Sequence, residues 1–238
     1  MTGDLGPRRA LAIAAHPDDI EFGAGGTVAG WVDEGWDVRY VIATSGDKGV
    51  QDPGADLAAI AVVREQESRA AAAVCGVTDV TFLGLPDTEV VLDVALRRVL
   101  SRQFRRHRPH RLLVMDPDPV LGPDFVNHPD HRAVGQGALD ITVTGGTTGA
   151  IFPELVLEEG LEPWRGLEEI WIMGPAGGPV AVDVSSTIDR KLEALSAHAS
   201  QLAGWDFEAA VRRALERMGA EQGYPYAEAF RVLHVAGP

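Results

Sequence analysis

Residues 10–19 read ALAIAAHPDD, and this stretch decides the fold class. Its first six residues are all apolar, which suits a short buried strand. His16, Pro17, Asp18 and Asp19 follow directly. The pattern therefore predicts a buried strand that presents histidine and aspartate side chains at its carboxyl end.

Apolar strand-like runs and helical segments alternate on both sides of this stretch. Further strands are predicted at 37–44, 79–83, 111–115, 168–174 and 179–185, and helices at about 27–34, 57–75, 91–107, 187–202 and 206–219, with one more after the HPDH segment at 128–131. The glycine-rich segment before the first helix is expected to be a turn. Alternating strands and helices imply right-handed βαβ crossovers. We expect an α/β fold, a Rossmann-like three-layer sandwich with a mainly parallel sheet and helices on both faces.

The composition is that of an ordinary globular protein. The chain has 238 residues, of which 45 % are hydrophobic and 24 % are charged, which excludes wholesale disorder. Its length suits one domain or two. Because no repeat, low-complexity tract or linker divides the chain, residues 1–238 are expected to form a single domain.

The charge argues against a general nucleic-acid binder. A formal net charge of −14 is unfavourable for neutralising phosphates, although it leaves room for a local basic patch. Seven arginines fall between Arg97 and Arg111. This cluster predicts the solvated face of one helix and the turn after it.

The single cysteine bears on the cellular compartment. Cys75 has no partner for an internal disulfide, which is compatible with a reducing environment, and its small neighbours predict a buried core residue. The apolar run at 10–15 is too short for a signal peptide, and no apolar run reaches the roughly 18 residues of a membrane span. We expect a soluble protein of the cytoplasm.

Two polar clusters follow predicted strands, HPDD at 16–19 and NHPDH at 127–131. Parallel sheets bind ligands beyond the carboxyl ends of their strands. Two histidine nitrogens and one carboxylate form a common three-ligand metal site with a fourth position for water. Because the chain has one cysteine, a thiolate zinc site is excluded, and nitrogen and oxygen ligands remain.

Other interpretations of these segments remain open at this point. HPDD alone is compatible with a surface turn and an aspartate helix cap, and HPDH with a proline-initiated helix. Both clusters on one face are harder to attribute to capping. GAGGTV at 23–28 nearly matches a dinucleotide fingerprint, but Val28 stands at the last glycine position. The absence of a G-x-S-x-G elbow disfavours a serine hydrolase.

The two clusters also carry a family resemblance. HPDDIEFGAGGT at 16–27, together with NHPDH, resembles the LmbE-like zinc deacetylases, the PIG-L superfamily of N-acetylglucosaminyl-phosphatidylinositol deacetylases. Weaker likenesses are TSGDKG (44–49), REQE (64–67), FLGLPD (82–87) and KLEALSAHASQ (191–201). Together they extend from about residue 10 to 202.

The resemblance implies a role for each matching residue. The metal ligands would be His16, Asp19 and His131. Asp18 would be the general base that deprotonates the metal-bound water. His128 would stabilise the oxyanion beside the substrate carbonyl, with Asp130 orienting and charging it.

The resemblance also implies substrate contacts. Arg64 and Asp87 match positions that hold sugar hydroxyls, and His198 matches a motif near the site. One departure is Val126, where some relatives have a tyrosine. Any stabilisation of the oxyanion that this tyrosine would give is absent here, or another residue must supply it.

These roles predict a zinc-dependent hydrolase that removes an N-acyl group, above all N-acetyl, from an amino sugar or its conjugate. Fe²⁺, Co²⁺ or Mn²⁺ would suit the same ligands. The implied partners are a small-molecule substrate, no nucleic acid, and copies of the same chain in a trimer or hexamer. The alternatives are a metal-dependent hydrolase of another amide or ester, and a catalytically silent sugar-binding protein. An intact Asp18 speaks against the silent protein, because pure binding needs no base.

Overall fold

The computed structural model describes residues 7–118, 120–121, 125–174 and 177–235. Its strands are β1 (Arg9–Ala14), β2 (Asp37–Thr44), β3 (Asp79–Leu85), β4 (Arg111–Met115), β5 (Glu169–Met173), β6 (Val180–Asp183) and β7 (Ala227–His234). Its helices are α1 (Asp19–Asp33), α2 (Leu57–Val74), α3 (Val94–His107), α4 (Pro129–Thr142), α5 (Glu154–Leu157), α6 (Ile188–Ser196), α7 (Ala199–Leu202) and α8 (Phe207–Ala220). No helix in these ranges is long and apolar enough to cross a membrane.

The strands form one seven-stranded sheet in the order β3-β2-β1-β4-β5-β7-β6. The first five strands in this order pair in parallel, and β7 pairs antiparallel with both of its neighbours. The chain order reverses between β1 and β4, so a topological switch point lies between these two strands. The HPDD and NHPDH segments both leave the sheet at this point, which is where such folds bind ligands.

Alternate residues of β1 belong to different hydrophobic cores. Ala10, Ala12 and Ala14 pack with one core beside α1 and α2, whereas Leu11 and Ile13 pack with another beside α3 and α4. Helices therefore cover both faces of the sheet. This confirms the predicted α/β class and the mainly parallel sheet.

The prediction of a turn before the first helix was wrong, because α1 already begins at Asp19 and contains the glycine-rich segment. A Cβ atom on Gly26 would lie 2.9 Å from Cβ of Val184, and one on Gly23 would lie 2.8 Å from Sδ of Met173. The glycines let α1 approach its neighbours closely. This tertiary packing outweighs the low helix propensity of glycine.

Other elements also differ from the prediction. The third helix begins at Val94 rather than 91, because the side chain of Asp93 accepts the N–H of Leu96 at 2.8 Å and caps it. The helix predicted at 187–202 is two helices, α6 and α7, separated at Ala197 and His198. Strand β7 was not predicted. The irregular loop expected after β4 includes residues 119 and 122–124, which lie outside the described residues.

The arginine cluster is only partly a solvated face. Arg105 is 1 % exposed, and its guanidinium donates to the carbonyl groups of Gly145, Thr148 and Ile151 at 2.7, 2.8 and 2.8 Å. The solvated-face prediction was therefore wrong for Arg105, which instead anchors the segment after α4 to α3. The prediction for Cys75 is confirmed, because it is fully buried.

Candidate metal centre

Asp19 closes the turn that follows β1. Its Oδ2 accepts the backbone N–H groups of Ala15 and His16 at 3.1 and 2.7 Å. Its other oxygen, Oδ1, lies 3.1 Å from Nε2 of His131. The backbone thus holds one oxygen of this carboxylate and directs the other toward the first turn of α4.

His16 and His131 reach this point from the two sides of the switch point. Nδ1 of His16 lies 3.1 Å from Nε2 of His131 and 3.5 Å from Oδ2 of Asp19. The rings of His16 and His128 meet edge to face at 4.8 Å between centroids. The structure therefore brings together three histidines and one carboxylate from two loops that lie far apart in the sequence.

The donor atoms fit a tetrahedral divalent cation. Zinc binds histidine nitrogen and carboxylate oxygen at about 2.0–2.2 Å, which separates neighbouring ligands by roughly 3.3 Å in a tetrahedron. Nε2 of His131 lies 3.1 Å from Nδ1 of His16 and 3.1 Å from Oδ1 of Asp19, both close to this value. A ring nitrogen of His128 also lies within 4.8 Å of those of His16 and His131. The arrangement is a His/Asp site that suits a first-row metal.

The electrostatics of the centre favour positive charge. Burial lowers the pKa of His16, but hydrogen bonds and charges of Asp19 and Asp87 outweigh it and raise the pKa to about 10. Burial raises the pKa of Asp19, but His131 and His16 outweigh it and lower the pKa well below its ordinary value. Carboxylates in this environment stabilise a cation beside them.

Two further carboxylates hold the far side of the His16 ring. Nε2 of His16 lies 3.2 Å from Oδ1 of Asp87 and 3.5 Å from Oδ2 of Asp130. Asp130 is itself held by the backbone N–H groups of Thr88 and Val90 at 2.8 and 3.2 Å. These partners favour a proton on Nε2, which leaves the lone pair of Nδ1 for a metal.

Asp18 is positioned by Arg64 and does not cap its helix. It stands at the N-cap of α1, yet its side chain makes no capping hydrogen bond. Oδ2 instead accepts from Nη2 of Arg64 at 3.3 Å, and Nη1 of Arg64 donates to the carbonyl of Gly46. Gly46 has a φ of +63°, and a Cβ there would lie 2.3 Å from Nη1, so only glycine fits. The capping alternative fails for this residue.

His128 and Asp130 interact through the backbone. Nδ1 of His128 accepts the N–H of Asp130 at 3.2 Å, whereas the Asp130 carboxylate faces His16. Burial lowers the pKa of His128, and the neighbouring His16 lowers it further. The contact gives His128 the neutral tautomer with its proton on Nε2.

The residues that the resemblance assigns to substrate binding are all buried. Arg64 and Asp87 are 4 % and 3 % exposed, and His198 has no exposed surface. Nε2 of His198 lies 3.4 Å from Oε2 of the equally buried Glu21 on α1. Contacts of these three residues with a substrate stay predictions.

Sequence reasoning missed a buried ion pair behind the centre. Nζ of Lys191 lies 2.6 Å from Oε1 of Glu228, and both side chains are 1 % exposed. The Glu228 carboxylate also accepts the backbone N–H groups of Gly26 and Thr27 at 3.0 and 2.7 Å. Lys191 is one of only two lysines, which is a weak signal. Nothing in the local sequence pointed to Glu228, because the strand that carries it, β7, was not predicted.

The comparisons with known proteins agree with this site. Residues 11–142, more than half of the chain, match the family model described as PIG-L, GlcNAc-PI de-N-acetylase. The chain therefore belongs to the PIG-L family of de-N-acetylases, as the resemblance implied. All of the proposed metal-site residues fall inside the matched segment.

Individual relatives extend the similarity beyond that segment. The chain is 30 % identical over 229 residues to diacetylchitobiose deacetylase of Thermococcus kodakarensis, covering 95 % of this chain and 83 % of that protein. It is 31 % identical to 1D-myo-inositol 2-acetamido-2-deoxy-alpha-D-glucopyranoside deacetylase of Nakamurella multipartita, in an alignment that covers 95 % of this chain and 89 % of that protein. The crystal structure of N,N'-diacetylchitobiose deacetylase from Pyrococcus horikoshii superimposes with a TM-score of 0.87 at 28 % identity, covering 97 % and 85 %.

Proposed function

We propose that this protein is a metal-dependent N-deacetylase that hydrolyses the acetamido group of an amino sugar or an amino-sugar conjugate. The observation that carries the proposal is the convergence of His16, Asp19 and His131 beside Asp18, a carboxylate that is not needed as a ligand. The named activities of the relatives, diacetylchitobiose and glucosaminyl-inositol deacetylation, support the substrate class.

His16, Asp19 and His131 would hold the cation, which we propose is zinc. When bound, zinc lowers the pKa of water from about 15.7 to about 7 and polarises the acyl carbonyl. The same donors suit Fe²⁺, Co²⁺ or Mn²⁺, so a metal analysis decides the identity.

Asp18 accepts the proton of the attacking water. Arg64 holds Oδ2 of Asp18 at 3.3 Å, which restrains the orientation of the carboxylate. The same group then returns the proton to the leaving amine. A positioned base of this kind contributes about 10²–10⁴ in rate.

His128 donates a hydrogen bond to the oxygen of the acyl carbonyl as negative charge develops there. Because Nδ1 of His128 accepts the backbone N–H of Asp130, its Nε2 carries the ring proton and would donate the hydrogen bond. Neutral imidazole is a sufficient donor for this role.

Amine release by the purified protein tests the proposal. N-acetylglucosamine, N,N'-diacetylchitobiose and N-acetylglucosaminyl-inositol are the substrates, and bound metal is measured in the same samples. We expect about one metal ion per chain, loss of activity on chelation, and recovery with added zinc. A metal-loaded protein that is inert toward all three compounds would refute the proposal.

The proposal also includes the domain organisation, the cellular location and the oligomeric state. A single domain at residues 1–238 is supported by the one sheet that joins all seven strands of the described residues. A cytoplasmic location is supported by the unpaired, buried thiol of Cys75. A homo-oligomer, trimer or hexamer, rests on the family resemblance alone, and size-exclusion chromatography with light scattering tests it.

A further inference from the structure

A cavity of about 430 Å³ opens directly beside the metal centre. Asp19, His128 and His131 form its polar end. The rest of its wall is mainly apolar and includes Phe22, Met115, Met173, Val211, Leu215 and Met218. A group placed at the centre therefore has a large apolar space next to it.

Two polar side chains that the described residues place in this wall, Lys191 and Asn127, already donate hydrogen bonds within the protein. Nζ of Lys191 donates to Glu228 at 2.6 Å and to the carbonyl groups of Glu21 and Phe22 at 2.8 and 2.7 Å, which uses all three of its donors. Nδ2 of Asn127 donates to the carbonyl of Asp116 at 3.0 Å. A sugar hydroxyl in this cavity would find few partners, and burying it unpaired is unfavourable.

The polar residues expected to meet a sugar lie elsewhere. Arg64 and Asp87 are not among the described residues of the cavity wall. Asp87 instead contacts Nε2 of His16, and Arg64 contacts Asp18. The scissile carbonyl at the centre separates the amine side of a substrate from its acyl side. Because the cavity is mainly apolar, it suits the acyl side better than the hydroxyl-rich amino sugar.

The cavity is much larger than an acetyl group requires. A methyl group is about the size of a water molecule, which occupies about 30 Å³. The 430 Å³ of the cavity exceeds this more than tenfold. Most of the apolar wall follows residue 142, on β5 and α8, outside the segment that matches the family model. The C-terminal part of the chain therefore supplies most of the apolar wall.

We propose that this cavity binds the acyl chain of the substrate, and that the enzyme acts on amino sugars with straight N-acyl chains of about four to eight carbons in preference to N-acetyl. The inference rests on the proposed function. The reaction is the same hydrolysis, in which water adds its oxygen to the acyl carbon, the C–N bond breaks, and a carboxylate and a protonated amine leave.

The test is a series of N-acetyl-, N-butyryl-, N-hexanoyl- and N-octanoyl-glucosamine, with kcat/KM measured by amine release. Each methylene transferred from water to the cavity adds up to about fourfold. We expect kcat/KM for hexanoyl to exceed that for acetyl by at least about tenfold in the wild type.

Ala214→Phe fills the cavity from α8, and Arg213→Phe adds the same ring on an exposed position of that helix. We expect the hexanoyl-to-acetyl ratio to fall about tenfold in Ala214→Phe and to stay at the wild-type value in Arg213→Phe. Circular dichroism verifies folding. If Ala214→Phe does not fold, Met218→Trp on the same helix replaces it.

The outcomes separate the two proposals. Hydrolysis of the acetyl compound without any preference for longer chains overturns the acyl-chain assignment and leaves the deacetylase function intact. A ratio that survives both filling variants also overturns the assignment. No amine release from any member of the series overturns the function and the assignment together.

Discussion

Asp18 and Asp19 are adjacent in the chain, and their carboxylates have different partners. Asp19 is held by two backbone N–H groups and faces His131, whereas Asp18 is held by Arg64. The turn separates the two side chains, which fits the proposed roles of Asp19 as a ligand and Asp18 as a base. On this proposal, one position in sequence separates two chemical roles.

Asp18→Asn is expected to retain the metal and to lose about 10²–10⁴ in kcat, because an amide cannot accept the proton. His131→Ala is expected to lose the metal itself. Metal content and amine release distinguish the two defects. Asp33→Asn, at the exposed end of the same helix, is the matched control. Full activity in Asp18→Asn would remove Asp18 from the role of base.

Cys75 is expected to be unreactive in the folded protein at pH 9. Burial raises the pKa of its thiol to about 12, with the charges of Glu21 and Glu228 adding to the effect. An ordinary cysteine with a pKa near 8.5 is largely thiolate at this pH, whereas Cys75 stays protonated. Labelling with iodoacetamide, followed by mass spectrometry, should be slow until urea unfolds the chain. Fast labelling of the native protein would contradict the buried position.

At the scale of elements, α1 carries the proposed ligand Asp19 and packs closely on its neighbours through glycine. The helix brings Gly23 against Met173 and Gly26 against Val184, and this closeness sets the position of its amino end at the centre. Helix α1 is therefore a structural support of the site as well as the source of two of its residues.

Gly26→Ala is expected to destabilise the protein by about 1–3 kcal/mol, because its new methyl group would lie 2.9 Å from Val184. Gly30 provides the control on the same helix, since nothing lies within 4 Å of a Cβ there. Gly30→Ala should stabilise by about 0.5–1 kcal/mol through helix propensity. Urea unfolding measures both. Equal effects of the two substitutions would show that packing at Gly26 is not limiting.

Strands show how far elements follow from local pattern. β2 and β4 begin and end at the predicted residues 37–44 and 111–115, because β2 is rich in β-branched and aromatic residues and β4 contains the apolar run LLVM. β7 was missed, although AEAFRVLH alternates between apolar and polar residues over part of its length. Its strand form depends on pairing with β5 and β6, a contact that no local pattern specifies.

At the scale of the whole molecule, the ion pair of Lys191 and Glu228 joins the C-terminal elements to α1. Lys191 lies on α6, Glu228 on β7, and together they hold carbonyl and N–H groups of α1. Removing one partner leaves a buried charge without compensation. The C-terminal elements are therefore tied to the helix that carries Asp18 and Asp19 at its start.

Lys191→Met is expected to lower the free energy of unfolding by about 3–5 kcal/mol, because Glu228 stays buried without its cation. The other lysine of the chain, Lys48, pairs with Glu89 at the surface and supplies the control. Lys48→Met should leave the urea midpoint unchanged. Both are measured without metal, so that metal binding does not enter the comparison. A small effect of Lys191→Met would mean that Glu228 finds another partner or a proton.

The sequence by itself determined the α/β class, the strands beside the switch point and the pairing of HPDD with HPDH. These depend on local hydrophobic pattern and on the rule that parallel strands end at one edge, both of which are legible in a single chain. Only the tertiary structure decided that the glycine-rich segment is helical, that His198 is buried on Glu21, and that an apolar cavity adjoins the centre. These features arise from contacts between α1, α6, α8 and β7, and the free energy of such long-range packing is invisible to local pattern.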